Sequence, residues 1–95
     1  ALSANYPNPF VERTRFDIAI PSPGTLRAVV YNLQGQQVAE LTNAAVSSGI
    51  VALEWAGIHA QLGRRVSNGV YLVKFLYQSH AGERNSVTSK VILTR

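Results

Sequence analysis

Ninety-five residues with no cysteine and no methionine are enough for one domain, and a chain of that length buries roughly 60–65% of the surface it exposes when unfolded. A hydrophobic share of 46% and a charged share of 15% exclude intrinsic disorder, and the lack of cysteine excludes disulfides, thiol catalysis and Cys-ligated metals together. The net charge of +4 suits an acidic partner, but the nine basic residues run from Arg13 to Arg95 with Arg64-Arg65 as the one adjacent pair, a scatter that describes a solvated surface and not a nucleic-acid footprint.

Residues 1–95 read as a single domain. Residues 1–4 read as the remnant of a linker and residues 5–13 as a proline-rich lead-in. No apolar run approaches the ~20 residues of a membrane span. No secretory leader is visible either, so the chain reads as a piece of a longer protein. Within the lead-in, Tyr6-Pro7-Asn8-Pro9-Phe10 cannot be helical, because each proline forces its predecessor into extended geometry and neither can donate a ladder hydrogen bond. Tyr6 and Phe10 are expected to pin this rigid stretch against the domain.

Strict alternation from Arg15 to Ile20 turns Phe16, Ile18 and Ile20 inward, and Pro21-Ser22-Pro23-Gly24 ends that strand. Thr25 to Asn32 forms a second strand, and Leu33-Gln34-Gly35 reverses the chain into a third from Gln36 to Leu41, with Gly35 free to take left-handed geometry. Thr42 to Ser48 is small and polar and reads as a loop. Gly49 to Ala56 alternates again, with Val51, Leu53 and Trp55 on one face; Gly57 to Gly63 reads as irregular, and Arg64-Arg65-Val66 as a short strand. The dominant β signal is the run from Val70 to Tyr77, with Asn68-Gly69 at its head as a tight hairpin turn. Tyr71, Val73, Phe75 and Tyr77 share one face and Val70, Leu72, Lys74 and Leu76 the other, which places this strand in the middle of a sheet with the Lys74 charge in water. Two readings of Tyr71 stand: a ring that reaches back to an upstream carbonyl, as in a tyrosine corner, or a plain core aromatic. His80 to Glu83 turns the chain into a last strand from Asn85 to Arg95. About seven short strands and no helical period predict an all-β fold, an immunoglobulin-like antiparallel β-sandwich.

The residues offer little for catalysis. His59 and His80 lie in loops without partners at metal-ligand spacing. The five carboxylates, Glu12, Asp17, Glu40, Glu54 and Glu83, are isolated from one another. No nucleophile elbow or phosphate-binding glycine loop is present, because the glycines sit at turns. The chain is expected not to be an enzyme and to hold no cofactor or metal. Binding through exposed aromatics is open to it, with Tyr31 the ring best placed to face outward, since Leu26, Ala28 and Val30 take the other face; the remaining aromatics fall on inward registers suited to core packing.

Three segments read together: Asn5 to Phe10, Val30 to Val38, and Gly49 to Trp55 followed by Gly63 to Tyr71. In this order and spacing they resemble the type A C-terminal sorting domain of the type IX secretion system and the related immunoglobulin-like domain of flagellar hook-capping proteins. Tyr6, Pro7, Asn8, Pro9, Phe10, Gly35, Trp55, Asn68, Gly69 and Tyr71 carry the motif. The resemblance runs from about Leu2 to Arg95, and the closing basic-apolar strand favours the sorting domain. It implies a non-catalytic module of a Gram-negative bacterium. Such a module carries an N-terminal cargo domain through the periplasm and across the outer membrane to a secreted or cell-surface location. Its implied partners are the outer-membrane translocon and a sortase-like peptidase that joins cargo to lipopolysaccharide. The chain departs from the family after the tryptophan, where Ala56-Gly57 and Ile58-His59-Ala60 replace the usual Asp-Gly and the acidic or Asn residue, so no cation or polar staple is implied for that loop. Lys90, Val91, Ile92, Leu93 and Arg95 are the candidate recognition residues, offering a strand edge for pairing and charges for steering; the other reading is that Val91 and Leu93 simply close the sandwich. The competing functions are a carbohydrate-binding module or a structural immunoglobulin-like accessory domain of a secreted enzyme.

Overall fold

The structure, a computed structural model, describes the backbone of residues 3–6 and all of residues 9–95. Nine strands lie among them: β1 (Ser3–Tyr6), β2 (Thr14–Ile20), β3 (Gly24–Tyr31), β4 (Gln37–Val46), β5 (Gly49–Trp55), β6 (Ile58–His59), β7 (Arg64–Arg65), β8 (Gly69–Ser79) and β9 (Arg84–Leu93). One sheet has the order β1-β2-β5 and the other β4-β3-β8-β9, while β6 and β7 make a small separate hairpin. Every strand pair is antiparallel. The chain is an all-β, immunoglobulin-like sandwich.

The inward faces follow from period-2 alternation. Phe16, Ile18 and Ile20 of β2 meet Leu26, Ala28 and Val30 of β3 and the Tyr71, Val73, Phe75, Tyr77 face of β8, all buried. As the alternation predicts, β8 lies between β3 and β9; its outer side chains Val70, Leu72 and Leu76 are half-buried and Lys74 is exposed. Two aromatic contacts join the sheets: Phe16 meets Phe75 edge-on at 5.3 Å between ring centroids, and Trp55 meets Tyr71 at 5.1 Å. Phe10 joins the second pair at 5.7 Å from Trp55. Burying one such side chain stabilises by about 1.5–3 kcal/mol, so these five rings are a large part of what holds the layers together.

The hydroxyls of the two buried tyrosines are bonded at the core's rims. Tyr71 donates to the Ser67 carbonyl at 2.6 Å and Tyr77 to the Ser22 carbonyl at 2.5 Å. Both readings of Tyr71 therefore hold at once: the ring is core and its hydroxyl makes the corner.

The structure corrects the sequence reading in four places. Ser3 and Ala4 are not linker but pair with Ile18 and Asp17 as the start of β1, a strand that polar and small residues do not announce. Thr42 to Val46 is not loop; it extends β4 along Ala28 to Gly24, after register shifts that leave Leu41 and Val38 as the extra residues. Such bulges let both Val38 and Ala39 turn inward, which a plain alternation rule cannot show. The segment after Gly57 contains the hairpin β6–β7. Asn68-Gly69 is not a hairpin turn, because β7 pairs with β6 and not with β8. Of the lead-in, Pro9 is exposed and Phe10 is buried at 1%, while Pro7, Asn8 and the Tyr6 side chain lie outside the described residues.

Phe10 closes one side of the sandwich. Its N–H donates to the Ile92 carbonyl at 2.8 Å and its carbonyl accepts from Thr94 at 2.9 Å, forming a parallel bridge to β9 just after the chain has left the sheet of β1. The first and last segments are thereby hydrogen-bonded to each other.

Two expectations follow. Trp55→Ala and Tyr71→Ala should each destabilise the fold by about 3–5 kcal/mol, and Tyr71→Phe by about 0.5–1.5 kcal/mol, the worth of its single hydrogen bond. Urea denaturation measures both, and losses below about 1 kcal/mol for the alanine variants would place the rings outside the cooperative core. Gly24 lies across from Ser79, and a Cβ there would collide with the Gln78 carbonyl oxygen. Gly24→Ala should cost about 1–3 kcal/mol through forced backbone displacement, and an unchanged melting temperature would show that β3 and β8 separate more easily than this geometry implies.

Candidate functional site

The end of the sandwich where β3, β5 and β9 finish and β2 and β8 begin gathers most of the motif residues. The reversal after β3 is held by Asn32, whose side-chain oxygen accepts from Gln34 at 3.0 Å and Gln36 at 2.9 Å. Gly35 completes it at φ 85°, left-handed geometry that a side chain would strain.

Beside it, the loops flanking the small hairpin are tied to the end of the chain. The Arg95 guanidinium donates to the carbonyls of Val66 at 2.9 Å, Ala56 at 3.1 Å and Gly57 at 3.1 Å. Its backbone exchanges two bonds with the Asn68 amide group, which accepts from Arg95 N at 3.1 Å and donates to Arg95 O at 2.9 Å. Asn68 thus works as a side-chain imitation of one more ladder residue beyond β9, which explains the Asn that sequence reading assigned to a turn. Gly57 has φ 70°, and a Cβ on it would run into the Arg95 side chain. Trp55 Nε1 donates to the Ile58 carbonyl at 3.1 Å and the Val66 N–H to Gly57 at 2.9 Å. The polar staple not implied by the loop's own residues is supplied from elsewhere: the cation among these carbonyls is a guanidinium.

The five candidate recognition residues do not form one surface. Val91 and Leu93 are fully buried and close the sandwich. Ile92 is half-buried, with its carbonyl engaged by Phe10. Arg95 is exposed yet folded back on three carbonyls, so its charge holds the loops instead of projecting outward. Lys90 is exposed on the outer face of the sheet, opposite Leu72. Tyr31, the ring expected to face outward, is half-buried beside Leu72 on β8.

Sequence reading missed a cleft of about 440 Å³ between the β3–β4 turn and the segment from His59 to Tyr71. Leu33 and Leu62 line it, with Arg64 and Arg65. His59 is half-buried and organises the loop: its Nδ1 accepts from the Gln61 and Leu62 N–H groups at 3.3 and 3.4 Å. The one signal in the sequence was the Arg64-Arg65 pair. Among the described residues no group of three or more His, Asp or Glu side chains is placed to hold a metal ion, and no helix is long and apolar enough to cross a membrane.

No protein-family model matches the chain, and no curated protein matches it. Solved structures do, and in each the likeness covers part of a larger chain. One is dimeric latent PorU from Porphyromonas gingivalis, at a TM-score of 0.77 and 21% identity over 97% of this chain and 9% of that one. Another is FlgD from Xanthomonas campestris, described for hook capping in flagellar assembly, at a TM-score of 0.68 and 21% identity over 97% of this chain and 64% of that one. The chain spans a small part of PorU and under two thirds of FlgD. At this identity the likeness is one of fold, and it agrees with the resemblance read from the three sequence segments.

Arg95→Ala should destabilise the domain by about 1–2 kcal/mol, several exposed hydrogen bonds being worth little each. It should also raise amide exchange at Val66, whose bond to Gly57 the guanidinium braces. Arg95→Lys should not restore protection, because one ammonium cannot span three carbonyls as a planar fork does. Full protection in the lysine variant would show that charge alone suffices.

Proposed function

We propose that this chain is a non-catalytic sorting module of type IX secretion, carried by a cargo protein to the outer membrane and outside the cell. The observation that carries the reading is the likeness, over 97% of the chain, to a segment making up 9% of PorU, joined to the ordered motif set from Asn5 to Tyr71. The well-knit end of the domain supports it: a module that serves as an address has to remain folded, and here Phe10, Asn68 and Arg95 fix the last strand without a disulfide. The partners on this reading are an outer-membrane translocon and a sortase-like peptidase, and the chain itself performs no reaction.

The likeness to FlgD favours a second reading, a structural domain that acts through contacts within an assembly. The two separate on one measurement. Fused behind a periplasmic reporter in a host with type IX secretion, the domain should send the reporter outside the cell, and Trp55→Ala, expected to cost about 3–5 kcal/mol, should leave more of the reporter in the periplasm. Retention of the reporter behind the intact, folded domain would overturn the sorting reading and leave the structural one.

A further inference from the structure

We infer that the cleft between Leu33 and Leu62 is a docking site for a protein segment in which carboxylates alternate with apolar side chains. Among the described residues five large hydrophobics are well exposed: Val11 at 56%, Leu33 at 64%, Ile50 at 69%, Ile58 at 42% and Leu62 at 58%. Single exposed apolar residues are ordinary, but a cluster is not. Four of these five belong to the end of the sandwich that holds Arg95; only Ile50 lies elsewhere. The loops of the opposite end, Pro21 to Pro23, Ser47-Ser48 and His80 to Glu83, are polar or small. Ser3 opens β1 toward that polar end, since it pairs with Ile18 near the end of β2.

Exposed cations also lie on the sheet, Lys74 on β8 and Arg84 and Lys90 on β9, but the one adjacent basic pair, Arg64-Arg65, lies at the cleft. Arg13, Arg15 and Arg27 each sit against a carboxylate, Glu54, Asp17 and Glu40 respectively, and Arg95 is engaged by carbonyls. Arg64 and Arg65 have no carboxylate in ion-pair reach among the described residues, and no Asp or Glu lines the cleft. Two exposed guanidiniums beside two exposed leucines match a partner that brings both carboxylates and apolar side chains. The planar guanidinium fork takes a carboxylate through two parallel hydrogen bonds.

The cleft is preformed, because Asn32 fixes one wall, the His59 ring fixes the loop above, and Tyr71 lies at its base bonded to Ser67. Little ordering is left to oppose association. The groove between the β3–β4 turn and the His59–Tyr71 segment suits an extended segment, and the vesicle arm of the test separates this from an anionic membrane surface. Two cations are too few for a nucleic-acid backbone. The identity of the segment's owner as a secretion receptor rests on the sorting reading; the cleft and its ligand chemistry do not.

The test is a titration of the ¹⁵N-labelled chain with the peptide acetyl-Leu-Glu-Leu-Glu-Leu-amide, its Gln-for-Glu analogue, and phosphatidylglycerol vesicles. The expected result is amide shifts confined to Leu33, Leu62 and their cleft neighbours. Binding should fall about tenfold or more for the Gln peptide and for the Arg64→Glu/Arg65→Glu variant. Leu62→Ser, a change at an exposed loop position, should weaken the Glu peptide while the rest of the spectrum is unchanged. Shifts spread over the sheet faces, equal binding of the Gln and Glu peptides, or binding of vesicles in place of peptide would each overturn the proposal. In the reporter assay, normal export by an Arg64→Glu/Arg65→Glu domain that no longer binds peptide would remove the receptor assignment and leave the cleft standing. Loss of export by that variant, with its melting temperature unchanged, would join the two.

Discussion

The edge-on contact between Trp55 and Tyr71 is the constraint on which this sandwich depends. Trp55 ends the outer strand of one sheet and Tyr71 opens the central strand of the other, so their rings fix the spacing of the layers where no strand pairing joins them. Phe10 packs on the same indole and at the same time hydrogen-bonds to the edge of the second sheet. From this cluster outward three polar groups hold the loops: the indole N–H on Ile58, the phenol on Ser67, and the Arg95 fork on the carbonyls of Ala56, Gly57 and Val66.

The two long edges of the four-stranded sheet are protected by different means. At the end of β9 the Ile92 carbonyl and the Thr94 N–H are taken by Phe10, so a partner strand cannot extend the sheet at that end without displacing a buried aromatic. At β4 the first half is bulged and Val38 gives its carbonyl to Ala60. These are the devices by which sandwiches avoid pairing edge to edge. At the end of β9 they leave little room for strand addition.

Much of the architecture was legible in the sequence. Alternation placed Phe16, Ile18, Ile20, Val73, Phe75, Val91 and Leu93 inward, and it placed β8 in the middle of its sheet. Illegible were the features that depend on long-range pairing. Ser3 to Tyr6 has no β-favouring run and becomes a strand only because β2 offers an edge. Thr42 to Val46 has loop composition and is extended by β3. The candidate site was misread for a related reason. Arg95 looks like a free terminal charge until the fold brings residues 56, 57 and 66 within reach of its guanidinium. The cleft is assembled from the residue 32–34 turn and the His59–Tyr71 segment, neither of which carries a motif alone.

The bridge from Phe10 to Ile92 and Thr94 has a consequence for when the domain can form. Contacts between the earliest and the latest residues of a segment are unavailable while it is still being synthesised, and non-local pairing of this kind is slow to form. β8 reaches its final environment only with β9 beside it. Closure therefore waits until the last strand has left the ribosome, and the nascent chain passes that whole interval open. The same contact that locks the finished sandwich also postpones the lock.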